Sequence, residues 1–139
     1  PRKLNVPGED QAKVAYQLLD AFQYQNEHVL VVGGGDSAIE AAMALAAQTG
    51  NQVTLSYRKT KFFRIKRRNE ERIYALLEKD QLRVQFESNV LEIGSDFVLL
   101  ETPQGPLRLA NDRVFIFAGG TPPFDLLKSM GIAFGAASV

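Results

Sequence analysis

Cysteine is absent from this 139-residue chain. Its absence excludes a disulfide scaffold, a thiolate-bound zinc or iron–sulfur centre, a catalytic thiol and a redox-active dithiol within these residues. Tryptophan is missing too, and His28 is the single histidine. A His-rich metal site is therefore excluded, as is a Ser–His triad built away from that residue. No apolar run approaches the ~20 residues that a membrane-spanning helix requires, and no signal peptide is visible. Charge of one sign is not in excess, because 16 basic residues balance 16 acidic ones. A globally basic nucleic-acid binder and an acidic disordered tail are both disfavoured. What remains, with 45% hydrophobic residues, can bury one core but is too short for two ordinary domains. The expectation is a soluble, cytoplasmic, single globular domain without a metal site.

Residues 1–10 carry Pro1 and the pair Pro7-Gly8, and read as an extended connector ending in a turn rather than a core element. Val14, Leu18 and Phe22 fall four apart, which predicts a short helix within Gln11–Tyr24. His28–Val32 is a near-continuous apolar run bounded by Gly33-Gly34-Gly35, the pattern of a parallel strand buried on both faces. Asp36-Ser37 supplies an N-cap pair for a helix over Ala38–Gln48, with Thr49-Gly50 as its stop. A strand over Gln52–Tyr57 follows, then a helix capped by Asn69 with a stripe of Ile73, Leu76 and Leu77, then a strand over Leu82–Phe86. Val90–Ile93, Phe97–Glu101 and Leu107–Ala110 are short strands separated by turn residues, which predicts an antiparallel meander. Val114–Phe117 is again a continuous apolar strand. The order predicts an α/β fold, a Rossmann-like open parallel sheet with helices on both faces and a small antiparallel β-meander.

Three features carry chemistry. Gly33-Gly34-Gly35-Asp36-Ser37-Ala38 fits the dinucleotide fingerprint, in which the first glycine makes the tight turn, the second admits a pyrophosphate to the backbone, and a small third residue keeps helix and sheet close. Those places fall to Gly33, Gly35 and Ala38, and the helix N-terminus then points unpaired N–H groups at the anion. The purely structural alternative is an ordinary glycine turn. Second, NAD-specific folds place an acid about 20 residues past the glycines to bind the ribose 2′-hydroxyl. Here no acid intervenes before Glu70, and the stretch Arg58–Arg68 holds seven basic residues and no acidic one. A 2′-phosphate is close to a dianion and planar guanidinium groups match it, so Arg58 and Lys59, with Arg64 as a third partner, point to NADP(H). A solvated helix start is the plainer reading and suits Arg67 and Arg68, while a nucleic-acid patch is the remaining alternative. Third, Ala118, Gly119 and Gly120 follow the last core strand. They either floor a nicotinamide pocket or form an ordinary turn leaving the sheet. His28 reads as a strand-entry residue, and Glu40 is given no role.

Taken in order, these motifs resemble the NADPH domain of the thioredoxin-reductase-like family of FAD-dependent pyridine nucleotide-disulfide oxidoreductases. Val32–Glu40 resembles its glycine motif and Val53–Lys59 with Phe62-Phe63-Arg64 its second strand and basic loop. Val6–Glu9 resembles the connector from the flavin domain, and Phe117–Pro123 the return segment. Thioredoxin reductases proper carry a Cys-x-x-Cys where this chain has Lys13–Asp20, so the resemblance is to the cysteine-free branch, including ferredoxin–NADP and bacillithiol-disulfide-type reductases. The resemblance implies a connector over 1–10, an NADP(H)-binding domain over 11–120 and a return segment over 121–139. It implies that Gly33, Gly34, Gly35, Asp36, Ser37 and Ala38 belong to the cofactor site, with Ser37 and the backbone of Gly35–Asp36 holding the pyrophosphate, that Arg58, Lys59 and Arg64 hold the 2′-phosphate, and that Ala118–Gly120 lie near the nicotinamide. Lys59 stands where the family usually has a second arginine. NADPH would reduce FAD bound by a flavin domain of the same polypeptide, which would pass electrons to an unidentified acceptor. No acid–base dyad is needed, and none is found. The first residue, Pro1, fits an excised inner domain, which would be inactive alone, and the resemblance allows a homodimer of the full-length protein whose contact need not survive excision. No nucleic-acid or membrane partner is expected. The rival from another class is a stand-alone dinucleotide sensor whose Gly8–Tyr24 and Gly131–Val139 segments dock a partner.

Overall fold

His28–Val32 forms the middle strand of a parallel sheet because both of its faces are covered. Val29 and Val31 pack with residues of two helices, and Leu30 and Val32 pack into a second apolar cluster. The computed structural model describes residues 3–117. In chain order they form β1 (Val14–Ala15), β2 (His28–Val32), α1 (Asp36–Ala46), β3 (Gln52–Ser56), α2 (Arg67–Glu78), β4 (Arg83–Gln85), β5 (Asn89–Ile93), β6 (Phe97–Thr102), β7 (Gly105–Ala110) and β8 (Arg113–Ile116). The main sheet has the order β1-β8-β2-β3-β4 and every neighbouring pair is parallel. The chain steps outward from β2 to β3 and β4, then returns through β8 on the other side of β2. The strand order therefore reverses at β2, the place where open α/β sheets bind ligands.

The Rossmann-like parallel sheet and the meander are both present, but the layering corrects one expectation. Among the described residues, α1 and α2 lie on the same face, with Ile39, Ala42 and Leu45 of α1 and Ile73 of α2 in one cluster with Val31, Leu55 and Phe115. Among the same residues the other face is covered by strands rather than by a helix. The antiparallel sheet β5-β6-β7 sends Val90, Ile93, Val98 and Leu100 against Leu30, Val32, Val114 and Ile116. Alternation places Val98 and Leu100 on one face of β6, which supplies the apolar layer that a crossover helix would otherwise provide.

The helix expected within Gln11–Tyr24 does not form. Val14 and Ala15 pair with Val114 and Phe115 along the sheet edge, and Ala21–Gln23 is a single 3-10 turn whose Asp20 side chain accepts from the Phe22 N–H. Val14 packs in the meander-side cluster, Leu18 packs in the helix-side cluster, and Phe22 is 74% exposed. The three never share a face. An open sheet edge satisfied the backbone here, and the four-residue spacing had no groove to fill. Residues 3–6 form no helix or strand and lead into a turn over 7–10, but Asn5 adopts φ +61° rather than an extended conformation, and Leu4 and Val6 join the second cluster. Glu9 gathers them by accepting the N–H groups of Leu4, Asn5 and Val6 at 2.8, 2.6 and 3.2 Å and the Tyr16 hydroxyl at 2.6 Å.

Candidate nucleotide-binding site

The glycine turn sits between the C-terminal ends of β3 and β8, fixed by Gly33 N–H donating to the Ser56 carbonyl at 2.9 Å and Phe117 N–H to the Val32 carbonyl at 2.8 Å. Gly33 has φ +137°, and a Cβ there would lie 3.1 Å from both the Ala38 methyl and the Phe117 oxygen. Its conformation and its closeness to α1 both demand glycine, and Ala38 is small for the same reason. Gly34 leaves room for the Tyr57 ring, which a Cβ would strike. Gly35 differs. It has an ordinary extended backbone (φ −89°, ψ −179°), is exposed, and a Cβ there would meet nothing within 4 Å. Nothing in the protein's own packing requires glycine at this position, whereas a ligand brought against the backbone would.

Helix α1 begins at Asp36, with Gly35 as its N-cap and no side-chain cap. This corrects the expectation that Asp36-Ser37 cap a helix starting at Ala38. The first-turn N–H groups of α1 have no intrahelical partners, and they open beside Gly35 with the exposed Ser37. The Asp36 carboxylate is turned elsewhere. Its Oδ1 accepts the Lys66 N–H at 2.9 Å and the Asn69 amide at 2.9 Å. The same Asn69 amide donates to Glu40 at 2.8 Å, and the Lys66 ammonium lies 3.8 Å from Glu40. The Lys66 N–H bond, against the opposing effect of burial and with help from Asn69 and the Lys66 charge, holds the Asp36 carboxyl below its ordinary value of 3.8. Asn69 is 2% exposed and lies inside α2, which starts at Arg67 with Lys66 as N-cap. The expectation that Asn69 caps this helix is therefore corrected, because its side chain reaches across to α1. Glu40 and Asn69 were the residues whose place sequence reasoning missed. Their spacing signals nothing until two helices are packed together.

The basic stretch follows directly from the glycine turn, since Tyr57 lies under Gly34. Tyr57 N–H donates to the Gln85 carbonyl, Ser88 N–H to Tyr57 and Glu87 N–H to Lys59, and the buried Ser56 and Ser88 hydroxyls share a 2.6 Å hydrogen bond. Buried Phe62 anchors the middle of the loop, stacked on Tyr57 at 6.0 Å and edge-on to Phe86 at 5.0 Å. Around this anchor Arg58, Lys59, Lys61 and Arg64 are exposed. None of the four has an ion-pair partner among the described residues. Arg64 adopts φ +57°, an uncommon conformation for a residue with a side chain. Phe63 is 44% exposed, with the Lys59 and Lys61 ammonium groups 6.0 and 5.6 Å from its ring centre. Arg67 pairs with Glu71 at 3.3 Å on the outer surface of α2.

The structure thus brings Gly33, Gly34, Gly35, Asp36, Ser37, Ala38, Arg58, Lys59 and Arg64 to one end of the sheet. Ala118, Gly119 and Gly120 lie outside the described residues. His28 enters β2 with its N–H on the Asp112 carboxylate at 2.8 Å. Among the described residues no cluster of three His, Cys, Asp or Glu could hold a metal, and no helix is long and apolar enough to cross a membrane. A groove of about 740 Å³ opens at the other end of the sheet, beside His28, Asn51 and Arg83. It shares no residue with the glycine turn or the basic loop.

Comparison with known proteins agrees with this geometry. The family model described as pyridine nucleotide-disulphide oxidoreductase matches residues 1–138. The chain is 33% identical over 135 residues to a ferredoxin–NADP reductase of Ignicoccus hospitalis, covering 95% of this chain and 44% of that protein. It is 30% identical over 134 residues to bacilliredoxin reductase Bdr of Bacillus subtilis, covering 95% and 41%. Among solved structures, bacillithiol disulfide reductase Bdr from Staphylococcus aureus superposes with a TM-score of 0.82 at 32% identity, covering 92% of this chain and 40% of that one. The chain therefore spans less than half the length of these relatives.

Proposed function

This chain belongs to the pyridine nucleotide-disulphide oxidoreductase family, and from that premise we propose that it is the NADP(H)-binding domain of a thioredoxin-reductase-like flavoprotein reductase. The observation that carries the proposal is the open backbone edge at Gly35 at the same end of the sheet as four cations without an ion-pair partner among the described residues. The first-turn N–H groups of α1, with Ser37, suit the pyrophosphate. Arg58 and Lys59, with Arg64, suit a 2′-phosphate, because like charges left unpaired on one loop repel one another until an anion arrives. When bound, the nucleotide would supply a hydride and the flavin an acceptor for it. The chain's own residues bind and orient, and Ala118, Gly119 and Gly120 would lie beside the nicotinamide. The relatives' greater length supports a flavin domain elsewhere in the same polypeptide, with FAD held there and the electron acceptor set by the full protein.

Calorimetric titration with NADPH and NADH at moderate salt tests the reading. NADPH should bind at least tenfold tighter. A preference for NADH would remove the 2′-phosphate role of Arg58 and Lys59, and binding of neither would remove the site.

A further inference from the structure

We infer that Asn69 is a positioning residue for nucleotide specificity, because its amide ties the basic loop to the glycine turn through Asp36 and Glu40. The inference rests on the NADP(H) reading and deepens it. Loop 58–66 is held at its start by the Lys59 carbonyl and the Phe62 anchor. At its end it is held by the Lys66 N–H on Asp36, and Asn69 braces that end by donating to Asp36 and Glu40 together. Lys61 and Arg64 lie between these two ties, Arg58 and Lys59 lead into the first, and all four are exposed without an ion-pair partner among the described residues. Mutual repulsion would splay them, and a splayed loop must be reordered whenever a phosphate binds, which lowers affinity.

The tie also disposes of a negative charge. Asp36 stands in the first turn of α1, where an unengaged carboxylate would compete with a pyrophosphate for the same N–H groups. Donors from α2 and its N-cap hold it instead. Asn69 touches no nucleotide in this scheme. The Lys66 N–H still holds Asp36 when Asn69 is removed, so the loss acts through the loop and should be felt by the 2′-phosphate and hardly by the rest of the ligand.

The test is calorimetry of the chain and two variants with NADPH and NADH, alongside trypsin sensitivity without nucleotide. Asn69→Ala should raise the NADPH dissociation constant about tenfold, leave that for NADH within threefold, and speed cleavage at Lys59, Lys61 and Arg64. Should Asn69→Ala fold poorly, Glu40→Ala alters only an exposed side chain and should lower the ratio about threefold. An unchanged ratio in Asn69→Ala or Glu40→Ala, or an equal loss for both nucleotides, overturns the inference. Equal affinity of the unaltered chain for the two nucleotides overturns the NADP(H) reading itself, and the positioning role with it.

Discussion

Gly33 and Gly35 are glycines for different reasons, and substitution separates them. Alanine at Gly33 must adopt φ +137° against Ala38 and Phe117, which should cost about 1–3 kcal/mol in urea unfolding. Alanine at Gly35 meets open space, so stability should hardly change while affinity for both nucleotides falls. Unchanged affinity would mean that no ligand approaches that backbone. Arg58→Ala should weaken NADPH binding by about 1.5–3 kcal/mol and leave NADH nearly unaffected, read by calorimetry. A third residue effect concerns titration. Tyr16 donates to the Glu9 carboxylate, and that bond, with burial and the Glu9 charge, pushes its pKa from 10.0 up to about 12. The neutral phenol is favoured by the fold, so its contribution is full below pH 10 and is lost as pH rises through about 12. Burial works against Glu9, but the Tyr16 hydroxyl and the Leu4, Val6 and Asn5 N–H groups together hold its pKa below 4.5, so its contribution is lost on acidification below that value. Glu9→Gln should return the Tyr16 pKa toward 10, followed by tyrosinate absorbance.

At the scale of elements, local pattern succeeded where an element is covered on the faces that its pattern implies. β2 and β8 are apolar and buried on both faces after their first residues, His28 and Arg113, and the alternation of β6 marks one buried face. The pattern failed at Gln11–Tyr24, where an empty sheet edge beside β8 took the backbone that the spacing assigned to a helix. Helix starts failed for a related reason. Asp36 and Asn69 are good capping residues by type, yet each spends its side chain on the other helix. Capping propensity is local, and a partner of opposite chemistry brought close by packing overrides it. Phe62 is the element-scale test of the loop. It is 7% exposed among Tyr57, Tyr74 and Phe86, so Phe62→Ala should cost about 3–5 kcal/mol by urea denaturation and reduce the preference for NADPH. A stability loss with the preference intact would mean that the anchor does not order the cations.

For the whole molecule, the layers put the glycine turn and the basic loop at one end of the sheet, where the strand order reverses at β2. The chain covers 44% and 41% of two curated relatives, so turnover belongs to the longer protein in the reading proposed. The chain alone should bind NADPH without oxidising it when a disulfide or ferredoxin is added, read as the absorbance of the reduced nicotinamide. Stoichiometric flavin in the purified chain would overturn that division of labour. Sequence alone determined the parallel core, the meander, the glycine fingerprint and the basic stretch, because each is written in short-range periodicity, composition or spacing. Tertiary structure alone decided which layer covers the second face, where Val14–Ala15 pairs, and that Asp36, Glu40 and Asn69 meet. Those outcomes depend on which surfaces are left uncovered once other elements have packed, and no local pattern encodes that.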